Sequence, residues 1–506
     1  MNKEETWALY QQGKDAWNAW AKERHAERTR LEEAGQWDGE SIGRMRNQDT
    51  VSWLHDAKAD FEDLVFKEEA DFQGFLFPGE AQFHKTIFKQ SARFDDAVFE
   101  GDAKFGEAEF NEVAWFYKTS FEGFSWFERA DFRGAAWFER ASFEQAAMFN
   151  DAKFHALARY SQVQFCGDAA FPSVAFSRYA LFEGTNFLGE ARFEGVTFRG
   201  DVRFEDVTFK SNALFSYANF ETYTTFGNAV FKGQSDFGAI DVKRAFTLAG
   251  ATFHQVPDFI QANFAQAPRL DDLDVKVSEV RHQVSDDDVS LPETKSDAEA
   301  KWRALKRLAI QAHDHARELD FFAGELKASR GVGTWKQIGV LIVSFPYEWL
   351  SDFGRSIGRP LFWFLVTLAV FYGVYLGNHS ALVEREQWGS VWTLEKFTSY
   401  FDDREVPVDA CEVGSEDSNA VNAAVALSLR NTIPFTGLGA PEKLNQVYRC
   451  LYGVEGAVTP GSDFPLERLP PRIPDRIAFY SVLQTLISAV LIFLFLLAVR
   501  NHFRIK

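Results

Sequence analysis

The chain has 506 residues, which is enough for about three or four domains of typical size. Its net charge of −19 argues against nucleic acid as a direct partner, because phosphate binding needs a basic surface. The three cysteines are too few and too scattered for a disulfide framework or a metal cluster. The unusual feature is phenylalanine, with 53 copies against 13 tyrosines.

The N-terminal segment, residues 1–58, is predicted to form a helical cap. It begins MNKEETWALYQQGK, which is polar and lacks the apolar core of a signal peptide, so we expect it in the cytosol. Residues 1–35 are interpreted as one amphipathic helix that would cover the open end of a solenoid. The aromatic residues of this helix are Trp7, Tyr10, Trp17 and Trp20.

Residues 59–265 contain a repeat of eleven residues. From Phe61 to Phe264, aromatic positions alternate at spacings of five and six residues through nineteen units, without an insertion. A helix is excluded, because at about 100° per residue the two positions of one unit lie about 140° apart and form no stripe. Phe fills 35 of the 38 positions, and the other three are Tyr160, Val242 and Leu248.

An extended chain explains the pattern better. Small apolar residues lie two positions before most Phe residues, and on a strand these two positions face the same way. The Gly of FEG (121–123) and FRG (132–134) is typical of corners with unusual backbone dihedral angles. If four sides form one coil, two units give 22 residues per turn. Nineteen units then predict about nine and a half coils and a rod about 45 Å long, at about 4.8 Å per strand.

The A-x-F-x-x texture of this segment resembles the pentapeptide-repeat family in its Phe-rich form. The resemblance covers about 205 residues and implies an all-β right-handed quadrilateral β-helix. QQGKDAWNAWAKER (11–24) resembles the segment that often precedes such repeats. Some soluble members of the family are acidic rods that mimic DNA and bind topoisomerases, but a solvated outer face is the simpler explanation of the acidity here.

After the repeat, residues 266–295 are acidic and predict a linker. Ser296 and Glu299 then form a capping-box pattern, and apolar residues recur behind it at spacings of three and four. We predict one amphipathic helix over 296–334, packed on the end of the solenoid or on a second copy of the chain.

Residues 335–506 predict an α-helical membrane domain with two spans. PLFWFLVTLAVFYGVYLG (360–377) has 18 uncharged residues and the segment 477–499 has 23, and both lengths can cross the hydrocarbon core. WKQIGVLIVSFPYEWL (335–350) is interrupted by a Pro and a Glu, so it suits a helix that lies in the membrane interface.

The distribution of basic residues predicts the sidedness. Arg359 precedes the first span and Arg500 follows the second, together with further Lys and Arg residues. Both termini and the solenoid are therefore expected in the cytoplasm, and the loop 378–476 outside. In an oxidising compartment Cys411 and Cys450 could form a disulfide, and two unrelated thiols are the alternative.

The outer loop contains a candidate pore loop, AVNAAVALSLRNTIPFTGLG (420–439). Its first part predicts a helix over 420–433, which is too short to span, followed by a turn. A half-length helix between two spans is the layout of two-span pore-loop channels, where irregular backbone lines a water-filled path. The candidate pore-loop residues are Asn431, Thr432, Pro434, Phe435, Thr436, Gly437 and Gly439.

The second span carries three polar residues on one face, Ser481, Gln484 and Ser488, which are candidates for lining a pore. The acidic stretch 402–417 would concentrate cations at its mouth. Polar residues on one face of a span are also common contacts between helices, and TIPFTGLG differs from the TVGYG filter of potassium channels. Both interpretations stay open at this point.

Residues 296–506 resemble the membrane region attached to certain bacterial pentapeptide-repeat proteins. The resemblance is carried by WRALKRLAIQAHDHARELDFFAGEL (302–326), LSDFGRSIGRP (350–360), LSLRNTIPF (427–435) and LLAVRNHFRIK (496–506). Such regions are generally described as ion-channel-like. The resemblance implies a multi-pass protein of the bacterial cytoplasmic membrane and no enzyme activity.

Two functions follow from these observations. The first is a non-enzymatic, ion-channel-like unit that conducts cations as a homo-oligomer, expected to be a tetramer, and carries the solenoid as a cytosolic rod. The second is a membrane-anchored scaffold whose β-helix binds a cytosolic protein. The chain shows no Gly-rich phosphate loop, no metal spacing and no Ser/His/Asp set, so no catalytic residue, metal site or cofactor is predicted. The expected partners are the bilayer and further copies of the chain.

Overall fold

The computed structural model describes residues 1–38, 48–276, 295–330, 335–378, 418–433, 441–452, 470–471 and 473–504. The chain divides into two compact units, Met1–Val332 and Gly333–Lys506. The first unit contains a β-solenoid with helices before and after it, and the second unit is helical.

Strands of two residues wind into a four-sided solenoid in which each strand, except the last of each face, pairs in parallel with the strand 22 residues further along. Faces A and C contain nine strands each, and faces B and D ten. Four sides and 22 residues per turn are confirmed, while the right-handed winding stays a prediction. The first and last strands are Ala59–Asp60 and Ser235–Asp236 on face A, Val65–Phe66 and Asn263–Phe264 on face B, Ala70–Asp71 and Phe246–Thr247 on face C, and Leu76–Phe77 and Asp274–Val275 on face D.

Columns of stacked Phe rings fill the interior. Phe116, fully buried, stacks on Phe94 and Phe138 of the neighbouring coils, with ring centroids 4.9 and 4.6 Å apart. It meets Phe105 and Phe127 of another column edge-on, at 5.6 Å in each case. The ring spacing equals the spacing of about 4.8 Å between neighbouring strands, so backbone pairing sets the ladder. Edge-to-face contacts between columns suit the quadrupole of the rings.

The two kinds of corner correct one interpretation of the glycines. One kind of corner has a left-handed φ, which recurs every eleven residues, mostly on residues that are not Gly, such as Asp63 at 57° and Lys85 at 56°. The glycines of FEG and FRG lie at the other kind of corner. Gly123 and Gly134, of FEG and FRG, have no left-handed φ. A Cβ on Gly134 would lie 2.2 Å from the carbonyl carbon of Glu112 in the preceding coil. These corners need Gly because the backbones of successive coils approach closely.

The solenoid extends past the predicted boundary at residue 265. Asp274–Val275 pairs with Thr252–Phe253, and Leu270 is buried. Leu270 and Val275 occupy the next two positions of the eleven-residue repeat, with aliphatic side chains in place of Phe. Residues 266–276 therefore belong to the solenoid, and the linker predicted for 266–295 does not begin at 266.

The N-terminal cap consists of three helices: α1 (Lys3–Tyr10), α2 (Lys14–Glu33) and α3 (Gln48–Asp56). The single helix expected over 1–35 is broken at Gly13, which has a φ of 85°. Trp17 is fully buried against Phe61 of the first coil, and its Nε1 donates a hydrogen bond to the carbonyl oxygen of Leu76 at 2.9 Å. The aromatic residues of the cap thus close the N-terminal end of the Phe ladder, as predicted.

Two helices, α4 (Lys295–Gln311) and α5 (His315–Ala328), follow the solenoid where one helix over 296–334 was predicted. The chain breaks before α5 because the Asp314 side chain caps that helix, accepting a hydrogen bond from the amide of Arg317 at 3.1 Å. The apolar spacing continues through both helices, so it gave no sign of the break.

The pair of helices covers the C-terminal end of the solenoid, as expected. Leu305 of α4 is fully buried in the same hydrophobic cluster as Phe264. The Nε2 of Gln311 donates a hydrogen bond to the carbonyl oxygen of Phe264 at 3.0 Å. Both ends of the Phe ladder are therefore shielded from water, which a solenoid of this kind requires.

Tyr160 is the one Tyr in the ladder, and we expect Tyr160→Phe to raise the free energy of unfolding by about 1 kcal/mol. The ring is fully buried between Phe138 and Phe182, and its hydroxyl has no hydrogen-bond partner in the described part of the chain. Urea unfolding at neutral pH measures the gain. A loss of stability on removal of the hydroxyl would contradict this prediction.

The same substitution also has a predicted pH dependence. Burial raises the pKa of the Tyr160 hydroxyl well above its ordinary value, because desolvation disfavours the phenolate. Below about pH 10 the hydroxyl is neutral in both the folded and the unfolded chain, so its effect on stability does not change with pH. Above about pH 10 the unfolded chain loses this proton while the folded chain keeps it, and the wild type loses stability. The stability difference between Tyr160→Phe and the wild type should therefore widen above about pH 10.

The second unit contains five helices among the described residues: α6 (Trp335–Ser351), α7 (Gly358–Gly377), α8 (Ser418–Thr432), α9 (Pro441–Tyr452) and α10 (Asp475–Arg504). Helices were predicted at the positions of α6, α7, α8 and α10, whereas α9 was missed. By length and composition, Gly358–Gly377 and Asp475–Phe503 could each cross a membrane. That they cross a membrane is a proposal.

Candidate functional site

The short helix α8 packs against α7, α9 and α10. Ala424 and Leu427 of α8 are buried, and they share a hydrophobic cluster with Tyr375 of α7 and Tyr448 of α9. Small residues on α8 allow close contact with its neighbours, as is common where helices pack in membranes. The same face of α8 continues into a group of polar side chains.

Gln484 of α10 joins this polar group to α8. Its Nε2 lies 2.6 Å from Oγ1 of Thr432, 3.0 Å from Oγ of Ser428 and 2.9 Å from the Ser428 carbonyl oxygen. Its Oε1 accepts a hydrogen bond from the Tyr375 hydroxyl at 2.8 Å. Gln484 is fully buried and both ends of its amide are bonded, which is what a buried amide needs to be tolerated.

Tyr375 of α7 is the second centre of the group. Its hydroxyl donates to Gln484 and accepts from Nδ2 of Asn431 at 3.1 Å. Its carbonyl oxygen accepts from the hydroxyl of Tyr452, on α9, at 3.4 Å. Tyr375 therefore contacts α8, α9 and α10 at once, and its own burial is complete.

The hydrogen bonds place the C-terminal part of α8 at the level of the middle of α7. Oγ of Ser428 donates to the carbonyl oxygen of Leu368 at 2.8 Å. Leu368 lies midway along Gly358–Gly377, so it is about 15 Å from either end at about 1.5 Å per residue. Ser428 lies about one turn before the end of α8, so α8 ends within about one turn of the middle of its neighbour.

The predicted pore-loop residues divide into two groups. Asn431 and Thr432 are buried at the end of α8, and both are bonded within the group, Asn431 to Tyr375 and Thr432 to Gln484. The rest lie outside the described residues, so their role stays a prediction: Pro434, Phe435, Thr436, Gly437 and Gly439.

The structure places the three candidate pore-lining residues on the inner side of α10. The Oγ of Ser481 lies 3.5 Å from the Tyr375 hydroxyl and 3.3 Å from the Tyr448 hydroxyl. Ser488 is fully buried, and its Oγ has no partner in the described part of the chain. The complete bonding of Gln484 inside one chain favours the helix-contact interpretation for that residue.

A family model described as pentapeptide repeats matches residues 72–120, 83–131, 171–218 and 193–240. All four matches lie inside the four-sided solenoid, whose coils have the predicted period. The solenoid is built of pentapeptide repeats. Neither a curated protein nor a solved structure matches the chain. The ion-channel-like resemblance of the C-terminal region therefore rests on its own residues.

Two features of this chain were not predicted, the polar face of α8 and the helix α9, although the sequence carries a signal for each. Ser428, Asn431 and Thr432 are spaced by three and four residues, which puts them on one face of a helix. In α9, PEKLNQVYRCLY, apolar residues recur at the same spacings, and Tyr448 and Leu451 are buried. By contrast, nothing in the sequence singled out Tyr375 as the residue that joins four helices.

The remaining site predictions concern cysteines and metals. Cys450 lies partly buried on α9, packed against the hydrophobic cluster around Tyr375, and Cys411 lies outside the described residues, so their disulfide stays a prediction. Among the described residues of the chain, no group of three or more His, Cys, Asp or Glu side chains is placed to hold a metal ion.

Proposed function

We propose that the second unit is a pore-loop membrane unit that conducts cations as a homo-oligomer, a tetramer, and carries the pentapeptide-repeat solenoid as a cytosolic rod. One observation carries this proposal: α8 is fixed between two candidate spans and ends at the level of the middle of α7. Two spans that served only as anchors would not need a half-length helix bonded between them. The proposed location is the bacterial cytoplasmic membrane, with both termini inside.

The electrostatics of α8 favour a cation at its end. The last four carbonyl groups of a helix lack partners within the helix, and the helix dipole gives this end a partial negative charge. Ending at mid-depth, α8 would present that charge to a path through the bilayer. In this proposal residues 434–439 line the path, and Gln484 positions α8 and does not contact the ion.

The outer surfaces of the two candidate spans are consistent with a membrane or with further copies of the chain. Phe479, Leu486 and Phe493 of α10 are 63, 61 and 64% exposed, and Phe362 and Leu365 of α7 are also exposed. Apolar side chains so exposed along a whole helix are unfavourable in water and favourable in a bilayer. This pattern supports the proposed insertion of both helices.

Cation flux into liposomes that hold the purified full-length protein tests the proposal. We expect flux in the wild type and its loss or alteration in the double variant Pro434→Ala, Gly437→Ala. Thr367→Ala is the control, because that hydroxyl lies in α7 and donates only to the carbonyl oxygen of Trp363 in its own helix. Absence of flux at any salt, voltage or pH, with the protein folded, would contradict the proposal.

The second candidate function is a membrane-anchored scaffold whose solenoid binds a cytosolic protein. Proteins with pentapeptide-repeat solenoids are typically structural or scaffold proteins, and the family match supports this alternative. Tyr179 and Tyr217 are 52 and 73% exposed on the solenoid, as aromatic residues of binding surfaces often are. In neither function is the chain an enzyme, and that too stays a prediction.

A further inference from the structure

Face C of the solenoid carries a half-buried apolar patch across four coils, in which Tyr179 is the exposed residue. In each coil two outward residues flank the buried residue of the strand, and seven of these eight residues are apolar. Trp115 and Trp137 stack with ring centroids 5.2 Å apart. We call these eight residues the face C patch: Val113 and Trp115, Ala135 and Trp137, Leu157 and Arg159, Tyr179 and Leu181.

The patch is not a general property of the solenoid surface. In the same coils most residues that flank the buried Phe of the face D strands are polar: Ser120 and Glu122, Ser142 and Glu144, Gln164 and Cys166, Asn186 and Leu188. Contiguous apolar side chains on the surface of a body outside the membrane mark an interaction site. The patch is therefore a feature of the sequence of these coils and not of the fold.

We infer that the face C patch binds a second copy of this chain, face to face, about a two-fold axis parallel to the solenoid axis. In this arrangement the same coils of the two copies meet. The residue before the buried strand residue in one copy then faces the residue after it in the other copy. Ala135 then lies opposite Trp137 of the second copy, and Leu157 lies opposite Arg159. Small side chains face large ones, so the two surfaces interdigitate as in packed sheets.

The charges beside the patch are complementary under the same symmetry. Arg178 lies on one side of its coil and Glu183 on the other, so each faces the other in the second copy. Arg199 and Asp206 flank face C one coil further on, each one residue further from the strand, and they also face each other in the second copy. Neither Arg178 nor Arg199 forms an ion pair with another described residue. Glu183 already pairs with Arg203 of its own chain at 3.4 Å and would be shared, so in the dimer both arginines gain a carboxylate neighbour.

One coil is less favourable, since the symmetry brings Arg133 towards Arg140 of the second copy. Arg133 is already bound to Glu109 and Asp131, at 3.1 and 3.0 Å, so its charge is largely compensated. The inference uses the surface of the solenoid alone and does not depend on whether the second unit conducts ions.

Photo-crosslinking of the full-length protein tests this contact. A p-benzoylphenylalanine residue in place of Leu157 should give a covalent dimer on a denaturing gel after irradiation. The same residue in place of Ala170, which points outward on the opposite face A, is the matched control and should give none. The readout is separate from ion flux, so the two proposals fail independently.

Charge reversal tests the arrangement. With the crosslinker at position 157, Arg178→Glu should lower the dimer yield several-fold, and Arg178→Glu combined with Glu183→Arg should restore it. No dimer from position 157, or equal dimer from position 170, would overturn the contact. Rescue of Arg178→Glu by Glu112→Arg, and not by Glu183→Arg, would overturn the parallel arrangement. Arg178 and Glu112 meet when the two copies run antiparallel.

Discussion

Phe116→Ala is expected to lower the free energy of unfolding of the solenoid by about 3–5 kcal/mol. The ring is fully buried, stacks on two rings and meets three more edge-on, so its removal forfeits contacts in three coils. The cavity cannot collapse easily, because strand pairing fixes the distance between coils. Urea unfolding of the full-length protein, followed by far-UV circular dichroism, measures the loss.

The matched control is Phe124→Ala. Phe124 lies eight residues after Phe116 but is 42% exposed on the surface. Its truncation should change the free energy of unfolding by less than about 1 kcal/mol. Equal effects at the two positions would show that the Phe columns do not dominate the stability of the solenoid.

Gln484→Leu is expected to destabilise the second unit by about 3 kcal/mol or more. The substitution removes the hydrogen bonds of the amide to Tyr375, Ser428 and Thr432, and each of these buried hydrogen bonds contributes about 1 kcal/mol. Since Gln484 holds the C-terminal end of α8, this helix should also become more accessible. Thermal unfolding in detergent and hydrogen exchange of residues 421–432 measure the two effects.

Thr485→Ala is the control for this prediction. The hydroxyl of Thr485 donates only to the carbonyl oxygen of Ser481 in its own helix, at 2.9 Å. Its loss should have little effect on either measurement. If Gln484→Leu unfolds at the same temperature as Thr485→Ala, and α8 exchanges no faster, the polar group does not hold α8 in place.

The fold of the solenoid could be predicted from the sequence because its rule is local. One small and one large inward side chain per segment, repeated without an insertion, specifies the period and the number of sides. The last coil was missed because Leu270 and Val275 replace Phe there, although they pack in the same columns. The role of Gly134 was misjudged, because the approach of the preceding coil depends on residues 22 positions away, which local dihedral preferences do not reveal.

Four of the five described helices of the second unit could be placed from length and apolar content, but the candidate site could not be assembled in this way. Gln484 and Ser428 are 56 residues apart in the chain, and their contact depends on how α8 packs between its neighbours. The spacing of Ser481, Gln484 and Ser488 predicted a shared face correctly. A pore-lining face and a helix-contact face require the same spacing of polar residues. For Gln484 the helix contact is favoured only by the observed positions of its hydrogen-bond partners on α7 and α8.

Cation conduction is tested most directly by current recordings from the purified full-length protein in a planar lipid bilayer, with different KCl concentrations on the two sides. The proposed arrangement of α8 predicts discrete current steps with a reversal potential near that of potassium. It also predicts that Pro434→Ala, Gly437→Ala abolishes or alters the steps. A bilayer that shows no steps with folded protein inserted, or steps selective for chloride, would contradict it.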